Sequence, residues 1–327
     1  MKNRKCTALI WGLLLCMALM FTGCEQDNPD TDDEEKNSHQ HTWSEWTVEK
    51  QATCDENGVM VRSCECGKES KRGVDPLGHT YTDGICETCG EQEPSEGLQF
   101  KSNGDGTCRL TGMGSCRDTV LVIPKKSPEG DLVTAIAYQA LSDEKLLESV
   151  VIPEGITSIG SYAFYDCLSL REVRLPQSLK TIDDSAFGGC DMLQSIHIPE
   201  GVVSIGALAF SSCDALSEVI FPETCTAIGK YAFMYCDSLK KITLPSGLTL
   251  ISESLFCSSD SLECVEIPLS VTEFGESVFQ FCYALTDIVY AGTKEEWHAI
   301  YKGYGWDEYT RVFTVHCTDG DIPKEEA

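Results

Sequence analysis

Positive charge is scarce in this chain. Its 327 residues carry 25 lysines and arginines against 52 aspartates and glutamates, a formal charge of −27. Such a surface repels nucleic acid and anionic lipid, so neither is an expected partner. Catalytic signatures are missing as well. There is no Gly-x-Ser-x-Gly elbow, no His-Glu-x-x-His and no phosphate-binding glycine loop, so no enzyme activity is expected. Only six histidines are present. His39 lies in an acidic stretch, His41 and His79 stand near cysteines, and His298 and His316 fall near the C-terminus. His197 reads as a surface side chain rather than a base. Long apolar runs are confined to Ala8–Phe21, too short for a comfortable membrane span.

What is abundant is repetition. From Val133 to Thr293 one 23-residue unit is written seven times, beginning at Val133, Ile156, Leu179, Val202, Cys225, Leu248 and Val271 without insertion or deletion. One copy reads ITSIGSYAFYDCLSLREVRLPQS. Its fourth position is Ile136, Ile159, Ile182, Ile205, Ile228, Ile251 and Phe274, and its fifteenth is always leucine, Leu147 through Leu285. The ninth is phenylalanine from Phe164 to Phe279, after Leu141 in the first copy. A fixed period of this length marks a solenoid, whose units bury an apolar side only by stacking. The alternation around Val173 and Leu175, closed by Pro176, predicts a short strand at about 171–175. The spacing of Ala163, Phe164, Cys167 and Leu170 predicts a short helical or 3₁₀ return. The expected fold is an α/β solenoid, a right-handed horseshoe with a parallel sheet at about 4.8 Å per rung.

The pattern L-x-x-I-x-(I/L)-P…I-G-x-x-A-F-x-x-C-x-x-L resembles the treponema-type leucine-rich repeats of the BspA-like family over about half the chain. Glu144 and Ser259 replace its cysteine in the first and sixth copies, and Ala291 replaces its last proline. The resemblance implies a bacterial surface protein engaged in adhesion to host proteins or other microbes. The segment AGTKEEWHAI resembles the closing segment of that family.

Upstream of the repeats, Lys2, Arg4 and Lys5, the apolar run and Thr22-Gly23-Cys24 have the anatomy of a signal peptide over residues 1–23. The ending F-T-G-C resembles a lipobox, which would make Cys24 the lipidated first residue of an extracytoplasmic, membrane-anchored protein. Residues 24–40 are acidic and nearly free of apolar groups, and are read as a self-repelling linker.

A cysteine–histidine module, zinc-ribbon-like, is expected over 41–92, preceding the repeats as a metal- or disulfide-stapled unit. A segment this short needs such a staple. Cys64-Glu65-Cys66-Gly67 is echoed by Cys86-Glu87-Thr88-Cys89-Gly90, and His41-Thr42-Trp43 by His79-Thr80-Tyr81. Thiolate and imidazole are zinc's preferred ligands. One site would use His41, Cys54, Cys64 and Cys66. A second would start from His79, Cys86 and Cys89, one ligand short. Disulfides are the alternative that export favours, although five cysteines cannot all pair internally. In either case the role is structural.

Residues 97–132 read as a β-rich N-terminal cap, with turns at Asn103-Gly104 and Asp105-Gly106 and a cross-hairpin pairing of Cys108 with Cys116 left open. Residues 294–327 read as a C-terminal cap. It opens with a capping box at Thr293 and Glu296, carries Trp297 and Ile300 on one face of a short helix, and ends in a disordered tail from Asp319. Cys167, Cys190, Cys213, Cys236 and Cys282 share one column, read as small buried side chains with weak S–H donors rather than a metal or redox ladder, with a rung-to-rung disulfide left open. On each predicted strand the two residues flanking the buried one face outward. These give a mixed strip that includes Glu172, Arg174, Ser195, His197, Glu218, Ile220, Lys241 and Thr243. Concave solenoid faces of this kind bind macromolecules, so a protein or glycan on a host or neighbouring microbial surface is the expected partner. The alternative is a structural spacer or envelope-assembly protein with no external ligand.

Overall fold

A computed structural model describes residues 41–82 and 84–326. The predicted signal peptide, Cys24 and the acidic linker lie outside them. The chain divides into two compact units, one ending at Gly78 and the other starting at His79. The boundary falls inside the segment read from sequence as one module.

In the first unit, Thr47–Lys50, Gly58–Ser63 and Glu69–Val74 form a three-stranded antiparallel sheet. Apolar residues are few, and cation–π contacts stand in for a core. The Arg62 guanidinium lies 4.9 Å from the ring centre of Trp43 and 4.6 Å from that of Trp46, and Arg72 lies 4.6 Å from Trp46 on its other contact.

The second unit is a parallel-strand solenoid of about nine turns. Each repeat contributes two short strands. The first is the predicted one, seen as Glu172–Arg174, Ser195–His197, Glu218–Ile220 and their equivalents, with only the middle residue buried. The second, such as Ser158–Ile159 or Thr181–Ile182, buries the fourth-position isoleucine and was not expected. The caps add rungs of their own. Val120–Val122 pairs with Ser149–Val151, and Thr314–Cys317 pairs with Asp287–Tyr290.

The predicted helical return is absent. Residues 161–170 form consecutive turns. Two positions per repeat hold left-handed backbone, for example Tyr162 (φ 59°) and Asp166 (φ 56°), then Tyr231 (φ 61°) and Tyr235 (φ 59°). This alternation aims every second N–H group across rungs, while those between, of Ala163, Tyr165 and Cys167, donate to the residue three earlier. Tyr162, Phe164 and Asp166 donate to the carbonyls of Asp184, Ala186 and Gly188 at 2.8–2.9 Å. The next rung repeats the pattern from Ser185, Phe187 and Gly189 to Ala207, Ala209 and Ser211. The backbone is therefore satisfied by a third inter-rung ladder, which a helix would have forfeited.

The core is a column of parallel phenylalanine rings. Phe164, Phe187, Phe210 and Phe233 stack with centroids 5.0–5.5 Å apart and tilts of 3–5°. Between Phe233 and Phe256 the spacing opens to 6.1 Å and the tilt to 20°. The two-residue strand row is also interrupted there, between Ala227–Ile228 and Leu250–Ile251. This is where Ser252 occupies the column that holds glycine in most copies, and its hydroxyl donates to the Ile228 carbonyl at 2.5 Å. The glycines of that column have little room beside them. A Cβ on Gly229 would lie 2.4 Å from the Ala207 nitrogen, and one on Gly275 would lie 2.4 Å from the Glu253 nitrogen.

Both ends are closed by antiparallel strands. Gln99–Ser102 pairs with Thr107–Gly112 at one end, and Gly320–Pro323 pairs with Thr314–Cys317 at the other. The tail predicted as disordered is thus ordered. Ile322 is buried opposite Val315, and a 3₁₀ turn follows at Lys324–Glu326. A single apolar residue among acidic ones carried too little signal in the sequence. The helix Lys294–Ala299 has the expected capping box, and Trp297 packs against Phe274, Tyr290 and Trp306 to seal the core.

Candidate functional site

The eight strip residues named from sequence are exposed, with Val173, Ile196, Val219 and Ile242 buried beneath them. Strand alternation explains this directly. The strip largely neutralises itself. Arg174 Nε meets Glu172 Oε1 at 2.8 Å, and Lys241 Nζ meets Glu266 Oε1 at 2.6 Å. Thr243 also donates to Glu266, at 2.7 Å. Lys241 and then Thr243 hold the Glu266 carboxyl below its usual range, and Glu266 raises Lys241 in return. The three-residue strand row breaks twice, between Arg174 and Ser195 and between Ile220 and Lys241.

At the second break lies an open groove of about 580 Å³, lined by Glu218, Ile220, Phe221, Lys241, Thr243 and Leu244 among others. Phe221 replaces the aliphatic residue of its column and stands edge-on to Phe233, with centroids 5.8 Å apart at 89°. The sequence did carry this signal, as an aromatic in a column otherwise Ile, Leu or a terminal Tyr290. The strip is therefore not without an apolar foothold.

The cysteine column is buried, and its members are thiols. Each donates to a main-chain carbonyl of the preceding repeat. Cys167 reaches Leu141, Cys190 reaches Phe164, Cys213 reaches Phe187, Cys236 reaches Phe210 and Cys282 reaches Phe256, all at 3.0–3.3 Å. Ser259 does the same for Phe233 at 2.9 Å. Burial pushes Cys167, Cys236 and Cys282 up to about 12, so they stay protonated donors. Beside this column runs an aspartate ladder that the sequence reading overlooked, Asp191, Asp214, Asp237 and Asp260, spaced by the 23-residue period. Burial raises Asp214 and Asp260, and neighbouring aspartates of the ladder add to the effect.

Six of the seven cysteine and histidine residues named from the sequence gather in two trios, one in each unit. In the first unit, His41, Cys64 and Cys66 present ligand atoms all within 4.8 Å of one another. His41 Nδ1 is 3.4 Å from Cys64 Sγ and 3.2 Å from Cys66 Sγ. Cys54, predicted to join them, is buried in the same unit but stands outside this group, held where its carbonyl accepts from Gly78 N at 3.1 Å. In the second unit, His79, Cys86 and Cys89 gather in the same way, with Cys89 Sγ 3.5 Å from His79 Nδ1. A tetrahedral zinc at about 2.3 Å from sulfur and 2.0 Å from nitrogen would place the two about 3.5 Å apart, so both trios fit that ion. The chain arranges each cysteine pair in a tight turn. Gly67 (φ 86°) donates to the Cys64 carbonyl at 2.8 Å, and Gly90 (φ 77°) donates to the Cys86 carbonyl at 2.9 Å. Main-chain N–H groups from Cys89 and Thr88, together with His79, bring the Cys86 thiol down to about 6, despite burial pushing the other way. Cys108 and Cys116 are separate buried thiols, with no hairpin bridge between them.

Among the described residues, no helix is long and apolar enough to cross a membrane. The rungs, the phenylalanine column and the thiol column define a leucine-rich-repeat solenoid. Residues 134–233 and 203–299 match the BspA type leucine rich repeat region, in six copies. The chain belongs to that family, whose members are typically cell-surface, non-enzymatic binding proteins. Among solved structures, it resembles the T. pallidum leucine-rich repeat protein at 27% identity, covering 66% of this chain and 99% of that one, with a TM-score of 0.56. A leucine-rich repeat protein from Bacteroides ovatus is 24% identical over 64% of this chain and 66% of its own, with a TM-score of 0.47. One from Bacteroides capillosus is 29% identical over 38% and 93%, with a TM-score of 0.34. No curated protein sequence matches the chain.

Proposed function

We propose that the protein is a lipid-anchored bacterial surface protein that attaches to a protein or glycan on host or microbial cells through the exposed strand strip. The observation that carries this reading is the groove between Glu218 and Leu244, where apolar Ile220 and Phe221 sit beside Lys241 and Thr243 on a rigid ladder. Macromolecular contacts concentrate on such spots, an apolar anchor ringed by polar groups. The test is binding of purified protein to defined arrays of matrix proteins and surface glycans, beside the Arg174→Glu/Lys241→Glu variant. Loss of one array signal in a variant with native circular dichroism supports the reading, and identical array profiles refute it.

Anchoring would run through Cys24, after removal of the signal peptide. Fatty-acid labelling of the expressed protein, abolished by Cys24→Ala, is the expected result. The two trios would hold structural zinc, staples for segments with little core of their own. Self-pairing of the strip charges favours one second reading, a spacer that holds no ligand. In that case a bulky label at an Ile220→Cys position leaves cell attachment unchanged.

A further inference from the structure

The histidine of the second trio has neighbours on both ring nitrogens. Nδ1 faces Cys89 Sγ at 3.5 Å, and Nε2 faces Glu91 Oε2 at 3.4 Å. The other oxygen of Glu91 holds Lys125 Nζ at 2.6 Å. Lys125 belongs to the segment that delivers the chain into the first repeat, and its carbonyl accepts the Val133 N–H at 2.9 Å. A carboxylate on the far nitrogen of a ligating histidine fixes the tautomer and strengthens the ligand, and its loss typically weakens metal binding 10- to 100-fold.

We infer that Glu91 is the positioning residue of the second trio, and that through Lys125 it couples metal occupancy to the order of the solenoid's entry. This rests on the reading of the trio as a zinc site. Glu91 keeps the proton on Nε2 and leaves the Nδ1 lone pair toward the thiolates. Its ion pair with Lys125 is exposed, so alone it contributes little to stability. Its consequence lies in linkage. Once a metal fixes His79, Glu91 loses its freedom, and Lys125 and the Val133 hydrogen bond are restrained with it. Lys125 Nζ, 2.6 Å from the other carboxylate oxygen, holds Glu91 in the orientation that faces His79.

The experiment uses the full chain, reduced and metal-free, carrying Cys64→Ser and Cys66→Ser to silence the first trio. Cobalt(II) is titrated while the thiolate-to-cobalt absorption band is followed. Glu91→Ala is expected to weaken cobalt binding by about 10- to 100-fold, with the band's limiting intensity unchanged because the thiolate count is unchanged. Glu91→Gln, which keeps an acceptor but loses the charge, should fall between. In the parent chain, cobalt should also slow amide exchange at Val133, and Lys125→Gln should abolish that slowing while weakening cobalt binding less than Glu91→Ala does. If the parent shows no thiolate–cobalt band, the metal reading itself falls. If the band appears and Glu91→Ala binds cobalt as tightly as the parent, the positioning role is overturned. If affinity falls but Val133 exchange ignores cobalt, the coupling to the solenoid entry is overturned.

Discussion

Cysteine 236 distinguishes two accounts of the buried thiol column. Its Sγ is fully enclosed and donates to the Phe210 carbonyl at 3.3 Å. If the column only fills space, alanine should be the best small substitute. If the thiol satisfies a buried carbonyl, serine should be better, as the chain itself demonstrates at Ser259, whose hydroxyl reaches Phe233 at 2.9 Å. Replacing Cys236 by alanine removes one buried heavy atom, about 0.8 kcal/mol of transfer free energy if sulfur counts as one methylene. It also leaves an acceptor short of a donor in the core, on the order of 1 kcal/mol for a donor as weak as S–H. A residual void adds to this. The expected loss for Cys236→Ala is therefore about 2 kcal/mol, and for Cys236→Ser about 1 kcal/mol or less, since serine restores a stronger donor while losing some volume. Equilibrium urea unfolding followed by circular dichroism reads the difference as a shift in midpoint at constant slope. An alanine variant as stable as the serine variant, or more so, refutes the hydrogen-bond account and leaves a space-filling column.

The hairpin that closes the C-terminal end should loosen on alkalinisation. His316 is bracketed by Asp287 Oδ1 at 2.8 Å and Asp321 Oδ1 at 3.0 Å, and these carboxylates raise its pKa. A raised imidazole contributes stability that is complete below the unfolded value of about 6.5 and is lost as pH climbs through the folded value, so His316→Gln should flatten the melting temperature against pH in that window. The aspartate ladder works in the opposite structural sense. Asp214 and Asp260 are raised, so their ionisation opposes folding as pH rises above the unfolded carboxylate range. Asp214→Asn should raise the melting temperature at neutral pH and have little effect near pH 3, and a destabilised variant at neutral pH would contradict this. Gly229→Ala forces a Cβ to within 2.4 Å of the Ala207 backbone and should cost roughly 1–3 kcal/mol or more in the same urea assay. Phe210→Ala, in the evenly stacked part of the column, should cost about 3–5 kcal/mol, and a much smaller loss would mean that neighbouring rings collapse into the gap.

Much of this architecture is carried by local pattern. The 23-residue period is in the chain itself, and a repeat that cannot bury its own apolar side must stack, so the solenoid, the strand closed by Pro176 and the outward strip from Glu172 to Thr243 follow from periodicity alone. The short motif at Thr293 and Glu296 likewise names its own hydrogen bonds, because capping depends on residues three apart. What tertiary structure decided is everything set by the neighbouring rung. The spacing of Ala163, Phe164 and Cys167 suits a helix in isolation, but the carbonyls of the next rung take the N–H groups of Tyr162, Phe164 and Asp166, and left-handed backbone at Tyr162 and Asp166 turns the segment toward them. The second strand row is invisible in a two-residue stretch such as Thr181–Ile182 until another copy lies beside it. Ile322 orders the tail only because Val315 waits opposite. The ligand clusters follow the same rule. Cysteine and histidine spacing suggested which residue types would meet, but which cysteine stands with which histidine depends on where the loops close, and Cys54 therefore stands apart from the His41 trio it was expected to join.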